Sequence, residues 1–174
     1  MKTSPWLRRI LELDARLSTR LRIAEQPGSL RSLAAILAHS GDSWFWLAGL
    51  GLLWEAHPDG WRERAGVMIV SILVTAALVM AIKFTVRRRR PEGDWGSIYR
   101  NTDPHSFPSG HAARAVMLAV LALGLGPAWF AALLVIWAPL VGLARIAMGV
   151  HYLSDVVVGM VFGGLIGVVI NSLY

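Results

Sequence analysis

His151 and Asp155 stand four residues apart in this 174-residue chain. At that spacing both lie on one helix face, where the carboxylate accepts an imidazole N–H, fixes the tautomer, and leaves the other ring nitrogen free to attack an electrophile. Arg145 precedes them at the end of an apolar run, across a short turn that contains Gly149. Between Ala115 and Ile170, Arg145 and Asp155 are the only residues with a formal charge. A charge this close to hydrocarbon costs on the order of a few kcal/mol, so a partner or a function is expected of each. The bland alternative is an Arg145–Asp155 pair that fastens the fold beside an interfacial histidine.

A second group lies in His105–Arg114, HSFPSGHAAR, at the start of the run AVMLAVLALGLG. Ser109 is placed to cap a helix, and a helix N-terminus with exposed N–H groups is an anion site that Gly110 lets an anion approach closely. His111 at that terminus can supply a proton. Capping alone is the competing reading of Ser109. A third group is Lys83-Phe-Thr-Val-Arg-Arg-Arg-Arg-Pro91. Lysine offers a point charge and arginine a planar fork for phosphate oxygens, with Arg90 next to the rigid Pro91. Four arginines in a row also suit a membrane anchor.

These groups must be mounted on something, and composition says what. The chain is 55% hydrophobic and 16% charged, with a mean hydropathy of +0.53, too apolar for a soluble domain of this size. It has no cysteine, which removes disulfides and thiolate metal sites. The net charge of +6 is concentrated before Arg31 and between Lys83 and Arg100, as membrane-flanking charge is, and argues against a nucleic-acid partner.

Trp6, Ile10, Leu13, Leu17 and Leu21 recur at helical spacing with Arg8, Arg9, Glu12, Arg16 and Arg20 between them. This predicts an amphipathic interfacial helix within residues 1–30, without the apolar core and cleavage site of a signal peptide. Residues 31–174 are expected to form one transmembrane domain. Its predicted spans are Asp42–Ala56, Ala65–Phe84, Gly110–Leu125, Pro127–Leu143 and Tyr152–Leu173. The first is shorter than the ~20 residues a crossing needs unless Arg31–His39 contributes. The fold class predicted is therefore all-α, a membrane bundle of about five to six transmembrane helices. Alternation places the loops 83–111 and 145–155 on one membrane face.

Together the three groups resemble the three-part signature of the type 2 phosphatidic acid phosphatase superfamily. Lys83, Arg90 and Pro91 match its first part, Pro108 to His111 its second, and Arg145, His151 and Asp155 its third, with Ala144 where the family usually has serine. The resemblance covers about Ala65 to the C-terminus and implies a membrane lipid phosphatase. His151 would be the nucleophile forming a phosphohistidine, Asp155 would orient it, and His111 would be acid and then base. Lys83, Arg90, Arg145, Ser109 and Gly110 would hold phosphate oxygens. The scheme needs no metal or other cofactor.

Asp103 and His105 fall outside the pattern and read as solvated loop residues, with shaping of the pocket entrance as the alternative, and Arg87, Arg88 and Arg89 read as contacts to lipid headgroups or a diphosphate. The expected partner is a lipid phosphate in the membrane, with undecaprenyl diphosphate and phosphatidylglycerophosphate leading over phosphatidic acid and a lipid A phosphate. The resemblance points to a bacterial inner membrane with the site facing outward, whereas the arginine-rich loop alone would be placed in the cytoplasm. A lipid phosphotransferase and a non-catalytic lipid-binding or transport protein are the alternatives. Oligomeric state is left open.

Overall fold

The computed structural model describes residues 4–56, 60–93, 95 and 101–174. Among them are seven helices: α1 (Pro5–Arg20), α2 (Ser29–Ser40), α3 (Ser43–Ala56), α4 (Trp61–Val86), α5 (Gly110–Leu125), α6 (Ala128–Ala147) and α7 (Leu153–Leu173). The β pairing among the described residues is one isolated bridge, Arg89 to His105. The all-α expectation holds. Three helices, α4, α6 and α7, are long and apolar enough to cross a membrane, and α5 is a shorter apolar helix of 16 residues. Their outward side chains include Leu133, Ile136, Leu165 and Val168, each more than half exposed. So continuous an apolar exterior suits lipid rather than water.

Helix α5 is the axis of the bundle. Ala112, Ala113, Ala115, Met117, Leu118, Leu121 and Ala122 are all buried, and α5 packs chiefly against α6 and α7. The α7 face of that contact is a stripe of Gly159, Gly163 and Gly167. A methyl group at Gly159 would come within 2.5 Å of the Ser109 carbonyl, one at Gly167 within 2.8 Å of Val120 Cβ, and one at Gly163 would overlap the Ala113 carbonyl. Small residues repeating every fourth position let two helix backbones approach in this way. The approach sets the N-termini of α5 and α7 side by side.

The expected span over 42–56 takes a different form. Arg31–His39 does not extend it, because α2 ends at Ser40 and α3 starts afresh at Ser43. The break is held by tertiary bonds: Trp46 Nε1 donates to the Ser40 carbonyl at 2.9 Å and Trp137 Nε1 to Ser40 Oγ at 2.8 Å. Helix α3 alone has 14 residues. Asp42 does start it through the backbone, accepting from Trp46 N at 3.4 Å.

Helix α1 turns its apolar residues Trp6, Ile10 and Leu13 outward and buries Asp14 and Ser18. These two meet the start of α7. Ser18 Oγ accepts from Leu153 N at 2.8 Å, and Asp14 accepts from Ser154 N at 2.9 Å.

Candidate active site

The loop after α4 begins with Arg87 in the left-handed region, φ 53°, its N–H donating to the Lys83 carbonyl. That reversal folds the chain back so that Lys83, on the last turn of α4, and Arg90, just beyond it, point inward and are 4% and 6% exposed. The segment returning to α5 bonds to it through Ser106 N and the Arg88 carbonyl at 2.8 Å. Arg145, fully buried, comes from the last turn of α6, where its charge also suits the helix C-terminus. Gly149, at φ 66°, turns the chain into α7.

His151, 1% exposed, stands in that turn. Its Nδ1 faces Asp155 Oδ2 at 3.6 Å, and its Nε2 lies 3.2 Å from Arg90 Nη1. Burial, reinforced by the charges of Arg90 and Arg145 and opposed by Asp155, pushes the imidazole pKa down to about 3. The ring is therefore neutral near pH 7. Asp155 is held from several sides, by Tyr152 N at 2.9 Å and by Arg88 Nη1 at 2.7 Å. Arg88 supplies the ion pair on Asp155 that the alternative reading of the sequence gave to Arg145. Its other nitrogen donates to Asp14 Oδ2 at 2.6 Å, and its guanidinium lies 4.0 Å from the Tyr152 ring centre.

Ser109 caps α5, its Oγ accepting from Ala112 N at 3.4 Å. Its own N–H donates to the Asp155 carbonyl at 2.9 Å, so the second and third sequence groups are joined backbone to backbone. Gly110 and His111 open onto a cavity of about 490 Å³ that Lys83, Arg90, Asp103 and His151 also line. Its remaining wall is Asp42, Ser43 and Trp44 at the start of α3, Arg114 on α5, and Ala76, Val79 and Met80 on α4. One side of the cavity is polar, with the carboxylates Asp42 and Asp103 among its cations and histidines, and the other is hydrocarbon. All three groups predicted from sequence thus meet in one place.

Of the two readings of Asp103, the solvated loop residue gives way to the residue at the pocket: it lines the cavity, pairs with Lys83 and accepts from Arg90 Nη2 at 2.7 Å. Burial would raise its pKa, but the bond from Lys83 and the charges of Lys83 and Arg90 hold it below the usual carboxylate range. For Arg90 burial acts in the other direction and, with Arg145, disfavours its charge while Asp103 favours it. Of the expected headgroup cations, Arg87 and Arg89 are exposed and Arg88 is turned inward. Ala144 packs with Ala34 and Ala38 of α2 and does not line the cavity.

Sequence reasoning missed Asp14 and Arg114, named Arg88 and Asp103 without these partners, and read Asp42 as a helix start alone. Asp42 Oδ1 accepts from His111 Nε2 at 2.6 Å. The signal in the sequence for Asp42 is a carboxylate in the short polar break His39–Ser43 between two apolar runs.

A decaprenylphosphoryl-5-phosphoribose phosphatase of Mycobacterium tuberculosis is 35% identical over 167 residues, covering 92% of this chain and 89% of that protein. An undecaprenyl-diphosphatase of Sulfolobus acidocaldarius is 29% identical, covering 81% and 70%. Among solved structures, a transmembrane PAP2-type phosphatidylglycerolphosphate phosphatase from Bacillus subtilis superposes with a TM-score of 0.76 at 21% identity, covering 95% of this chain and 86% of that one. The model of the PAP2 superfamily matches residues 64–174, the stretch that carries Lys83, Arg90, His111, Arg145, His151 and Asp155, and the chain belongs to that superfamily.

Proposed function

We propose that this protein is a membrane lipid phosphatase that works through a phosphohistidine on His151. The observation that carries the reading is the cavity's two-sided lining, cations and histidines against hydrocarbon. An amphiphile fits it with the phosphate on Lys83 and Arg90 and the chain along Val79 and Met80.

In this reading Lys83, Arg90 and Arg145, with Ser109 and the N-terminus of α5 at Gly110, hold the nonbridging oxygens. A phosphate between buried cations relieves the repulsion that now disfavours Arg90's charge. Neutral His151, oriented by Asp155, attacks phosphorus, and His111 protonates the departing oxygen. Water then hydrolyses the phosphoenzyme with His111 as base. No step calls for a metal, since the cations supply the electrostatics.

The relatives' names favour a polyprenyl carrier as the lipid. The substrate class we assign is a polyprenyl-linked phosphate, either a phosphomonoester on a carrier-bound sugar or a diphosphate, ahead of phosphatidylglycerophosphate. Residues 1–30 lie on the membrane surface, residues 31–174 form the membrane domain, and the site faces outward from a bacterial inner membrane.

Phosphate release by the detergent-purified protein tests this, with polyprenyl diphosphate, polyprenyl-phosphoryl pentose phosphate, phosphatidylglycerophosphate and phosphatidic acid as substrates, EDTA present, and His151→Ala as control. EDTA-resistant release that depends on His151 is expected. Release that survives the His151→Ala substitution would overturn the reading, and phosphate appearing on an added acceptor lipid would reassign the protein as a transferase.

A further inference from the structure

His111 has a partner from outside the stretch matched to the superfamily. Asp42, on the turn between α2 and α3, accepts from His111 Nε2 through Oδ1 at 2.6 Å, and its Oδ2 lies 3.2 Å from His39 Nδ1. Burial would raise the Asp42 pKa, but its bonds to His111 and His39 hold the carboxyl well below the usual range, so it stays ionised.

The turn that delivers Asp42 is fixed by buried polar groups. Arg114, one helical turn beyond His111 and 6% exposed, donates from Nε to the Gly41 carbonyl at 3.0 Å. Its other nitrogens reach the same carbonyl and Ser43 Oγ. A methyl group on Gly41 would stand 2.9 Å from Val141 Cγ1 and 3.3 Å from His111 Cδ2. The turn therefore sits as close to the imidazole as a bare backbone permits. A buried arginine, a required glycine and two tryptophan N–H bonds converge on four residues, and the product is one carboxylate on one ring.

We propose that Asp42 is the positioning residue of the acid–base histidine. The inference rests on the role given to His111 above. By accepting Nε2–H, Asp42 fixes the ring plane and stabilises both the imidazolium and the Nε2–H tautomer that remains after proton transfer. The step balances: a bond forms between the His151 nitrogen and phosphorus as the bond from phosphorus to the leaving oxygen breaks. The leaving oxygen keeps the electron pair and takes the Nδ1 proton of His111, while Asp42 remains a carboxylate throughout.

A carboxylate that served folding alone would lower activity on all substrates alike. A partner of the acid acts selectively, because an alkoxide needs a proton as it departs whereas p-nitrophenolate, a stable anion, does not. The test is kcat/KM, which reports the steps through phosphoenzyme formation, for decyl phosphate and p-nitrophenyl phosphate with the full chain in detergent. The proteins compared are wild type, His111→Ala, Asp42→Asn and Asp42→Glu.

Asp42→Asn is expected to lose at least about tenfold on decyl phosphate and little on p-nitrophenyl phosphate, the pattern of lost acid assistance. Asp42→Glu should recover part of the difference. Retained p-nitrophenyl activity also certifies folding, and Asp42→Ser gives the same comparison if the asparagine variant is not recovered. Equal losses on both substrates, or no loss on decyl phosphate, while His111→Ala is selective, would overturn the role of Asp42 alone. A non-selective His111→Ala would overturn the role of His111, and the inference with it.

Discussion

At His151, burial and chemistry ask for the same protonation state. With its pKa at about 3 the ring is neutral and nucleophilic, and the folded chain binds fewer protons there than the unfolded chain, whose imidazole titrates near 6.5. The stability that depends on this neutral ring is complete above about pH 6.5 and declines as the pH falls toward 3. Thermal unfolding in detergent should show it: between pH 6.5 and 4 the Tm of the wild type falls more steeply than that of His151→Gln, and parallel curves would count against the buried neutral ring. In the proposed chemistry His151→Ala should abolish phosphate release and His111→Ala should reduce it by about 10²- to 10⁴-fold, both remaining monodisperse. Restoring serine with Ala144→Ser should leave kcat/KM unchanged or slightly raised, because position 144 faces α2 rather than the cavity; a severe loss would show that the third segment is misaligned. The residues legible in the sequence, Lys83, Arg90, His111, Arg145, His151 and Asp155, sit at fixed short spacings on single segments. The partners of Asp42, Asp103, Arg88 and Asp14 were hidden because each residue acts across a gap in sequence that no local spacing encodes, 69 residues from Asp42 to His111 and 74 from Asp14 to Arg88.

Among the elements, the contact of α5 with α7 has the least slack. A Gly163→Ala substitution, which places a methyl group on the Ala113 backbone, is expected to cost about 1–3 kcal/mol through overpacking, read as a fall in Tm. Gly164→Ala is the control, since its methyl would meet only Val116 Cγ1 at 3.6 Å. If the two variants melt alike, the glycine stripe is not what sets the helix separation. Hydropathy located α4, α5, α6 and α7 to within a few residues, because a long apolar run bounded by charge or Pro-Gly has few other outcomes. It could not resolve residues 29–56. There the two helices are divided by bonds from Trp46, Trp137 and Arg114, and Gly41 reads in sequence only as a pause. The amphipathic pattern of α1 was visible, but not that Asp14 and Ser18 on its polar side bond to the start of α7.

For the whole molecule, the two polar connections predicted to share one membrane face meet at one end of the bundle. Because the natural chain has no cysteine, an Asn101→Cys variant carries a unique label site at an exposed position of the active-face loop. Intact cells should label it with a membrane-impermeant maleimide, and labelling only after lysis would put the site on the cytoplasmic side. The bond from Ser109 N to the Asp155 carbonyl has a mechanical consequence at this scale. It joins the segments bearing His111 and His151 through main chain, over helices already locked by glycine. The segment bearing Arg88 is tied to the same block through main chain as well, by Ser106 N and the Arg88 carbonyl, whereas Lys83 and Arg90 reach it with their side chains. In the proposed chemistry the two histidines therefore keep one spacing set by main chain, and adjustment to a bound phosphate falls to the long side chains of Lys83 and Arg90.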